Sequence, residues 1–183
     1  GYFNCISQGI LKSASHGIVT ATGIFANSAH FAEHVDWLRD NASLDLGGHL
    51  NITDQAPLTI NMQSRLSRWQ GHFPDKYTIV RALLSGKIST EDVKSEWRAQ
   101  IERCLDKGLE IRFLNSHEHI HMLPSLFPVI QSLAGEYGIP HIRFTTPESF
   151  QNLAMGALVR DMLIKVTGIF NRVHSSGLII LIT

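Results

Sequence analysis

Residues 115–124 have the sequence Asn-Ser-His-Glu-His-Ile-His-Met-Leu-Pro and follow a short apolar run that ends at Leu114. The apolar run predicts a β-strand, and alternate residues of an extended chain point to the same face. His117, His119 and His121 alternate, so we expect His117 and His119 to project together from the carboxyl end of the strand, where α/β folds place their chemistry. Neutral imidazole is a common ligand of zinc and related ions. The stretch therefore predicts a divalent-metal site, with an exposed histidine-rich loop as the alternative.

The segments on either side of this stretch alternate between extended and helical patterns. Apolar, β-branched runs predict strands over residues 18–25, 44–52, 139–144 and 177–183. Apolar residues at helical spacing predict helices over residues 6–14, 29–41, 77–84, 89–108, 124–138 and 151–169. This alternation favours a parallel sheet, and about four to five strand–helix units fit part of a (β/α) barrel. We therefore predict an α/β fold, a partial (β/α) barrel with parallel strands and outer helices, as a single domain over residues 1–183.

The helix predicted for residues 89–108 carries two pairs of polar side chains. Ser89 and Asp92 fit a capping box in which the acid is shorter than the usual glutamate. Glu96 and Gln100 lie one turn apart on the same helix face. We expect them to form a solvated or locally bonded pair.

Residues 53–76 interrupt the alternation and show no sustained period. Long irregular insertions after a strand are often lids or substrate loops. Trp69 and His72, with Phe73, offer rings that could stack on a sugar. They could equally anchor the loop to the core, and the sequence leaves both interpretations open.

His49 lies in an otherwise apolar predicted strand beside two glycines, which let backbone or ligand approach closely. A lone histidine in such a strand is more often a core residue than a ligand. In a parallel barrel, however, His49 and His117 would both lie near strand carboxyl ends and face one cavity. Two histidines and a carboxylate form a familiar divalent-metal arrangement, and Asp45 and Asp54 are candidates for the carboxylate by residue type only.

The composition narrows the range of partners. The 16 basic and 16 acidic residues cancel, which argues against nucleic acid or an anionic membrane as a partner. The longest apolar run, residues 178–182, is far shorter than the roughly 20 residues that span a bilayer. Cys5 and Cys104 predict two buried free thiols in a reducing compartment. We therefore expect a cytoplasmic protein with no nucleic-acid partner and no membrane span, with a homodimer as one option for its oligomeric state.

Four short motifs are distributed over residues 1–148. They are Gly9-Ile10 with His16-Gly17-Ile18-Val19-Thr20, then Gly48-His49-Leu50-Asn51-Ile52-Thr53, then residues 115–124, and then Ile142-Arg143-Phe144 with Pro147-Glu148. In combination they resemble the YdjC-like carbohydrate deacetylase family, which includes the chitooligosaccharide deacetylases. Together with the other three motifs, the histidine motif is a specific indicator of this family, whereas any one motif alone would be a weak indicator.

The resemblance implies a (β/α) barrel-like fold and a function. The function is hydrolysis of the N-acetyl group of a small amino-sugar substrate with a divalent metal, commonly magnesium, with zinc as the alternative. The resemblance makes His49 and His117 the metal ligands. It also implies that His119 and His121 line or support the site. Apart from the resemblance, we expect substrate-binding or supporting roles for Arg143, Glu148, Trp69 and His72.

The chain departs from the family pattern in three places. The third ligand and the general base would be the aspartates of a family Asp-Asp-Phe-Gly motif, which would fall just before Gly1. A family His-Pro motif near the C-terminus is absent, and Asn115 replaces the usual aspartate, which weakens the charge expected there. We therefore expect a fragment, incomplete at both ends and with little or no activity, of a carbohydrate deacetylase. The alternatives are a non-catalytic sugar- or metal-binding relative and another metallohydrolase such as a phosphoesterase.

Overall fold

Five parallel strands form the centre of the computed structural model, which describes residues 4–41, 43–144 and 179–182. In sheet order and chain order alike they are β1 (Ala21–Ile24), β2 (Asp45–Leu50), β3 (Phe113–Ser116), β4 (His141–Phe144) and β5 (Ile179–Ile182). The predicted parallel α/β sheet is confirmed, and the five strands are consistent with a partial barrel. Closure into a barrel and the assignment of residues 1–183 to one domain stay predictions.

Six α-helices accompany the described strands. They are α1 (Asn4–Ser15), α2 (Phe31–Arg39), α3 (Ile60–Arg65), α4 (Lys76–Leu84), α5 (Thr90–Leu105) and α6 (Phe127–Glu136). The capping box that opens α5 is confirmed, because Ser89 and Asp92 exchange side-chain and backbone hydrogen bonds. The helix predicted over residues 151–169 lies outside the described residues.

The prediction of an irregular segment over residues 53–76 is wrong in part. The segment contains α3 and a 3-10 helix, Ser67–Trp69. Thr59 caps α3 by accepting a hydrogen bond from the Met62 amide. A six-residue helix is too short to show a helical period, so the sequence pattern could not reveal it.

The sheet has an outer face that is packed and an inner face that is polar. On the outer face, side chains from four adjacent strands enter the hydrophobic core beneath the helices: Ile24, Leu46, Leu50, Leu114, Ile142 and Phe144. Leu114 and Ile142 are completely buried. Because side chains alternate along a strand, the residues between them point to the inner face.

Two glycines shape the inner face. A methyl group on Gly47 would lie only 2.1 Å from the ring of Phe113, and one on Gly23 would lie 3.0 Å from the Cβ atom of His49. Such separations are below ordinary van der Waals contact. Gly47 therefore makes room for the Phe113 ring, and Gly23 makes room for His49.

The two cysteines differ in environment. Burial in α5 raises the pKa of the Cys104 thiol to about 12 and keeps it protonated. Cys5 is exposed, so the expectation that both thiols are buried is wrong for Cys5. The reason is that α1 turns Ser7 inward, and a residue two positions away lies on the opposite side of a helix.

No helix in the described part of the chain is long and apolar enough to cross a bilayer. The cytoplasmic location, the absence of a nucleic-acid partner and the homodimer stay predictions.

Candidate functional site

One row of inner-face residues crosses the carboxyl ends of the strands. The β2–β3 pairing places His49 opposite Asn115. Extending the neighbouring registers by one residue brings Phe25 beside His49 and Arg143 beside Asn115. The row Phe25–His49–Asn115–Arg143 therefore lies where parallel α/β sheets carry their sites.

His49 is held in one tautomer by Asn115. Its Nδ1 atom lies 2.7 Å from Asn115 Oδ1, and an amide oxygen can only accept, so Nδ1 carries the hydrogen. The Nε2 atom then keeps its lone pair. Burial lowers the pKa of His49 to about 4, against the opposing effect of the Asn115 hydrogen bond. The imidazole is therefore neutral at pH 7, which is the form that binds a metal.

His117 lies beside His49, although the two residues belong to different strand ends. Their ring centroids are 5.7 Å apart, and Phe25 packs edge-on against both rings. Two imidazoles that share one ion at a metal–nitrogen distance of about 2.1 Å have ring centres roughly 5–5.5 Å apart. The observed separation is only slightly longer than this range, which makes the pair a candidate to donate to one divalent cation.

The described residues contain no cluster of three or more histidine, cysteine, aspartate or glutamate side chains that could hold a metal. Asp45 starts β2, at the end of the strand away from His49, and faces Arg112 at 3.6 Å. Asp54 accepts a hydrogen bond from the Gln55 amide at 2.6 Å and does not join the histidines in such a cluster. Within the described residues the site thus offers two imidazole donors and no carboxylate.

The prediction that alternate histidines share one face of an extended strand is wrong. Strand β3 ends at Ser116, and the chain turns into a 3-10 segment, His117–Met122. Glu118 and His119 have φ values of 52° and 55°, in the left-handed region. That conformation costs a residue with a side chain roughly 1–2 kcal/mol, and sequence periodicity contains no sign of it.

A surface ion pair closes this turn on its outer side. The Lys76 ammonium lies 3.0 Å from a carboxylate oxygen of Glu118 and so links the start of α4 to the histidine turn. His119 is half-buried, with its ring centroid 6.3 Å from that of His121. The turn thus directs His117 to the site and sends His121 into the interior.

His121 is fully buried and bonded through both ring nitrogens. Nε2 lies 2.9 Å from the backbone carbonyl of Arg143, which can only accept, so Nε2 carries the hydrogen. The Ser116 hydroxyl donates to Nδ1 at 2.6 Å and accepts from the His121 amide at 2.9 Å. Burial lowers the pKa of His121 to about 4. This serine–histidine pair is out of reach of a substrate, and it fastens the histidine turn to β3 and β4.

The other predicted substrate-binding residues have separate environments. Trp69 is half-buried against the core, with the Arg68 guanidinium 5.3 Å from its ring, which favours the anchoring interpretation. Phe73 is buried, and His72 is exposed. Arg143 is half-buried and lines the open hollow on the inner face. Glu148 lies outside the described residues, and the sugar-binding roles stay predictions.

The local bond expected between Glu96 and Gln100 is confirmed, and the alternative of a solvated pair is wrong. Glu96 is fully buried, and its carboxylate accepts hydrogen bonds from the Leu58 amide, the Thr59 amide and the Thr59 hydroxyl at 2.9–3.0 Å. Gln100 donates to Glu96 at 3.0 Å and binds both the amide and the carbonyl of Asn51. The only sequence signal was a polar pair, one turn apart, inside an apolar helix stripe. This buried clamp holds the chain that follows His49.

A second set of hydrogen bonds joins the loops after β1 and β2. The Asn27 amide donates to the carbonyls of Asp54 and Ala56 at 3.3 and 3.1 Å, and Asn51 donates to Asn27 at 3.3 Å. Arg103 donates to the Ala26 carbonyl at 2.8 Å. Phe25 and His49, which precede these loops, are therefore carried on fixed supports.

The fold and the site define a parallel α/β protein with a pair of half-buried histidines at the carboxyl ends of its strands. The chain belongs to the YdjC-like protein family, whose model matches residues 1–177. The predicted family is thereby confirmed.

Two curated relatives are named for an activity. A "Carbohydrate deacetylase" of Clostridium beijerinckii is 30% identical over 155 residues, which cover 84% of this chain and 61% of the relative. A "Carbohydrate deacetylase 1" of Listeria innocua is 34% identical over 142 residues, which cover 78% of this chain and 56% of the relative. The chain thus spans about three fifths of the length of these relatives.

A solved structure shares the fold. It is a protein of Enterococcus faecalis described as a candidate cellobiose-phosphate cleavage protein, with a TM-score of 0.68 and 26% identity. The match covers 90% of this chain and 61% of that protein.

Proposed function

We propose that this chain supplies the histidine-bearing part of a divalent-metal-dependent carbohydrate deacetylase that acts on the N-acetyl group of amino sugars or chitooligosaccharides. The adjacency of His49 and His117, from two strand ends, carries the proposal. The names of the two curated relatives support the reaction class. Magnesium is the metal that the family resemblance implies, and imidazole donors also suit zinc.

A bound divalent ion would supply Lewis-acid polarisation of the acetyl carbonyl. His49 offers Nε2 as a donor because Asn115 occupies Nδ1. Phe25 packs against both histidine rings, with ring centroids 4.5 and 5.2 Å away. Arg143, on the same row, is proposed to bind the sugar, and His119 is proposed to line or support the site.

Two histidines do not complete such a site. A carboxylate ligand and a general base for water activation are still required by amide hydrolysis of this kind. Within the described residues, His49 and His117 do not belong to a ligand cluster of three or more, so we expect turnover to depend on carboxylates in addition to these two histidines. Activity is expected of a polypeptide that adds the carboxylates to His49 and His117.

The test is acetate release from N-acetylglucosamine oligomers by a longer polypeptide that carries this chain and an Asp-Asp-Phe-Gly segment. The ions to supply are magnesium, zinc, manganese and cobalt. His49→Ala and His117→Ala should each lower kcat/KM by at least roughly 100-fold, because each removes a donor. His16→Ala is the control, since His16 is exposed just after α1 and its ring hydrogen-bonds to Lys12 and Ser15. Absence of acetate with all four ions would refute the proposal, and tight oligosaccharide binding without turnover would identify a non-catalytic relative.

A phospho-sugar hydrolase is the second candidate. The Enterococcus faecalis neighbour is described in terms of cellobiose phosphate, and a guanidinium such as that of Arg143 suits a phosphate group. Two-metal phosphoesterase sites usually use several carboxylates, and the described residues show no ligand cluster of three or more. Phosphate release from cellobiose phosphate, measured in the same preparations, separates the two candidates.

A further inference from the structure

We propose that Asn115 is a positioning residue for His49, which selects the ring nitrogen available to a cation and, being uncharged, keeps the cation affinity of the His49–His117 pair low. The affinity part rests on the metal site of the proposed function. The positioning part concerns the metal-free chain and stands without it.

The contact belongs to the sheet and not to a mobile loop. His49 and Asn115 are direct partners in the β2–β3 register, and Asn115 is only 6% exposed. The backbone pairing therefore holds the amide next to the imidazole, at 2.7 Å between Oδ1 and Nδ1.

Packing restricts any other orientation of the His49 ring. Phe25 lies against it with ring centroids 4.5 Å apart, and the His49 Cβ and ring atoms lie close above Gly23. With Nδ1 committed to Asn115, Nε2 is the one ring nitrogen of His49 that keeps a lone pair. Loss of the Asn115 oxygen would leave the imidazole free to carry its hydrogen on either nitrogen.

The charge at position 115 bears on affinity. A carboxylate there would sit roughly 6–7 Å from an ion on Nε2, given the hydrogen bond, the width of the ring and a metal–nitrogen distance of about 2.1 Å. Outer partners of metal-bound histidines typically change metal affinity by about 10–100-fold. The neutral amide of Asn115 keeps the orientation of the His49 ring but does not attract the cation as a carboxylate would. Arg143 is the next residue along the row and lines the same hollow as Asn115.

The first experiment is calorimetric titration of the 183-residue chain with zinc ions. Asn115→Asp keeps the acceptor and adds a charge, so its Kd should fall by about 10–100-fold. Asn115→Leu has similar size and no acceptor, so its Kd should rise by about tenfold or more. Gln63→Glu adds the same charge on an exposed position of α3 and should leave Kd within twofold of the parent chain.

Two results would overturn the affinity part of the proposal. One is an Asn115→Asp chain that binds zinc no more tightly than the parent, which includes no binding by either. The other is an Asn115→Leu chain with the affinity of the parent.

The second experiment reads the tautomer directly in the metal-free chain, by long-range proton–nitrogen NMR of the imidazoles. We expect His49 to carry its hydrogen on Nδ1 in the parent chain and to populate the Nε2–H form in Asn115→Leu. Ser116→Ala is the matched control, because Ser116 contacts His121 on the other side of β3. It should alter the signals of His121 and leave those of His49 unchanged. An Nε2–H tautomer in the parent chain would overturn the positioning role, whatever the outcome of the acetate assay.

Discussion

The two faces of β2 and β3 perform different tasks with adjacent residues. The outer residues Leu46 and Leu114 are buried beneath helices and contribute apolar area to the core. The inner residues Gly47, His49 and Asn115 form part of the face that carries the candidate site. Each fully buried leucine stabilises the fold by roughly 1.5–3 kcal/mol, which glycine and hydrogen-bonded polar groups do not match. The contrast shows that the outer face supplies most of the stability. The inner face can therefore carry polar and small residues that contribute little to stability but could bind a ligand.

Lowering the pH should reduce the free energy of unfolding through histidines on both faces of the sheet. This is the largest effect that we expect. His34 and His121 in the packed layers, and His49 on the inner face, have pKa values lowered to about 4 from 6.5, chiefly by burial. The unfolded chain binds protons first as pH falls, so stability is full at neutral pH and is lost between about pH 6.5 and 4. Urea unfolding at a series of pH values should show an uptake of up to about three protons on unfolding.

His34→Gln tests the contribution of the packed layer to that acid loss. His34 is 2% exposed and bonded to the Ser7 hydroxyl at 2.9 Å, and glutamine keeps a polar group without a titrating ring. The proton uptake should fall by about one. Constant stability from pH 7 to 4.5 in the parent chain would contradict the assignment of these three histidines as buried and neutral.

Leu114→Ala should show most clearly that the outer face controls stability and the inner face controls cation binding. The side chain is completely buried at the centre of the outer face, so its truncation should cost about 2–5 kcal/mol of the free energy of unfolding. Chemical denaturation measures the loss. Zinc affinity at low temperature, where the variant is folded, should stay within threefold of the parent chain. A tenfold loss of affinity would show that the two faces are not independent.

Gly47→Ala should destabilise the inner face by about 1–3 kcal/mol, because the new methyl group meets the Phe113 ring at 2.1 Å. Gly135→Ala is the control. Gly135 lies in α6, a Cβ atom there meets nothing within 4 Å, and alanine should stabilise the helix by roughly 0.5–1 kcal/mol. Thermal unfolding of the two variants should therefore shift in opposite directions, and equal shifts would count against the tight contact of Gly47 with Phe113.

Lys76→Met should give the smallest effect. The Lys76–Glu118 pair is partly exposed, and such pairs contribute about 0–1 kcal/mol and weaken with salt. We expect a small loss of stability at low ionic strength that disappears at about 1 M salt. A large, salt-independent loss would mean that Lys76 supports the histidine turn by packing.

Several features could be predicted from the sequence because their causes are local. The alternation of helices and strands follows from hydrophobic spacing, and the parallel sheet is confirmed with strand ends displaced by a few residues. The capping box at Ser89 and Asp92 follows from residues three apart. His49 and His117 were candidates because of their residue type and their positions near the ends of predicted strands.

Other features depended on contacts between distant segments. The left-handed turn at Glu118 and His119 is held by Lys76 and by the bonds of His121, which no short pattern contains. The burial of Glu96 depends on amides that lie 37 and 38 residues away.

The sequence by itself determined which segments are helical or extended and which residue types could do chemistry, because hydrophobic spacing and capping act over a few residues. Only the tertiary structure decided that His49 faces Asn115 and approaches His117, because strand register brings together residues 66 positions apart. It also decided that His121 leaves the site for the interior, because two left-handed residues change the direction of the chain.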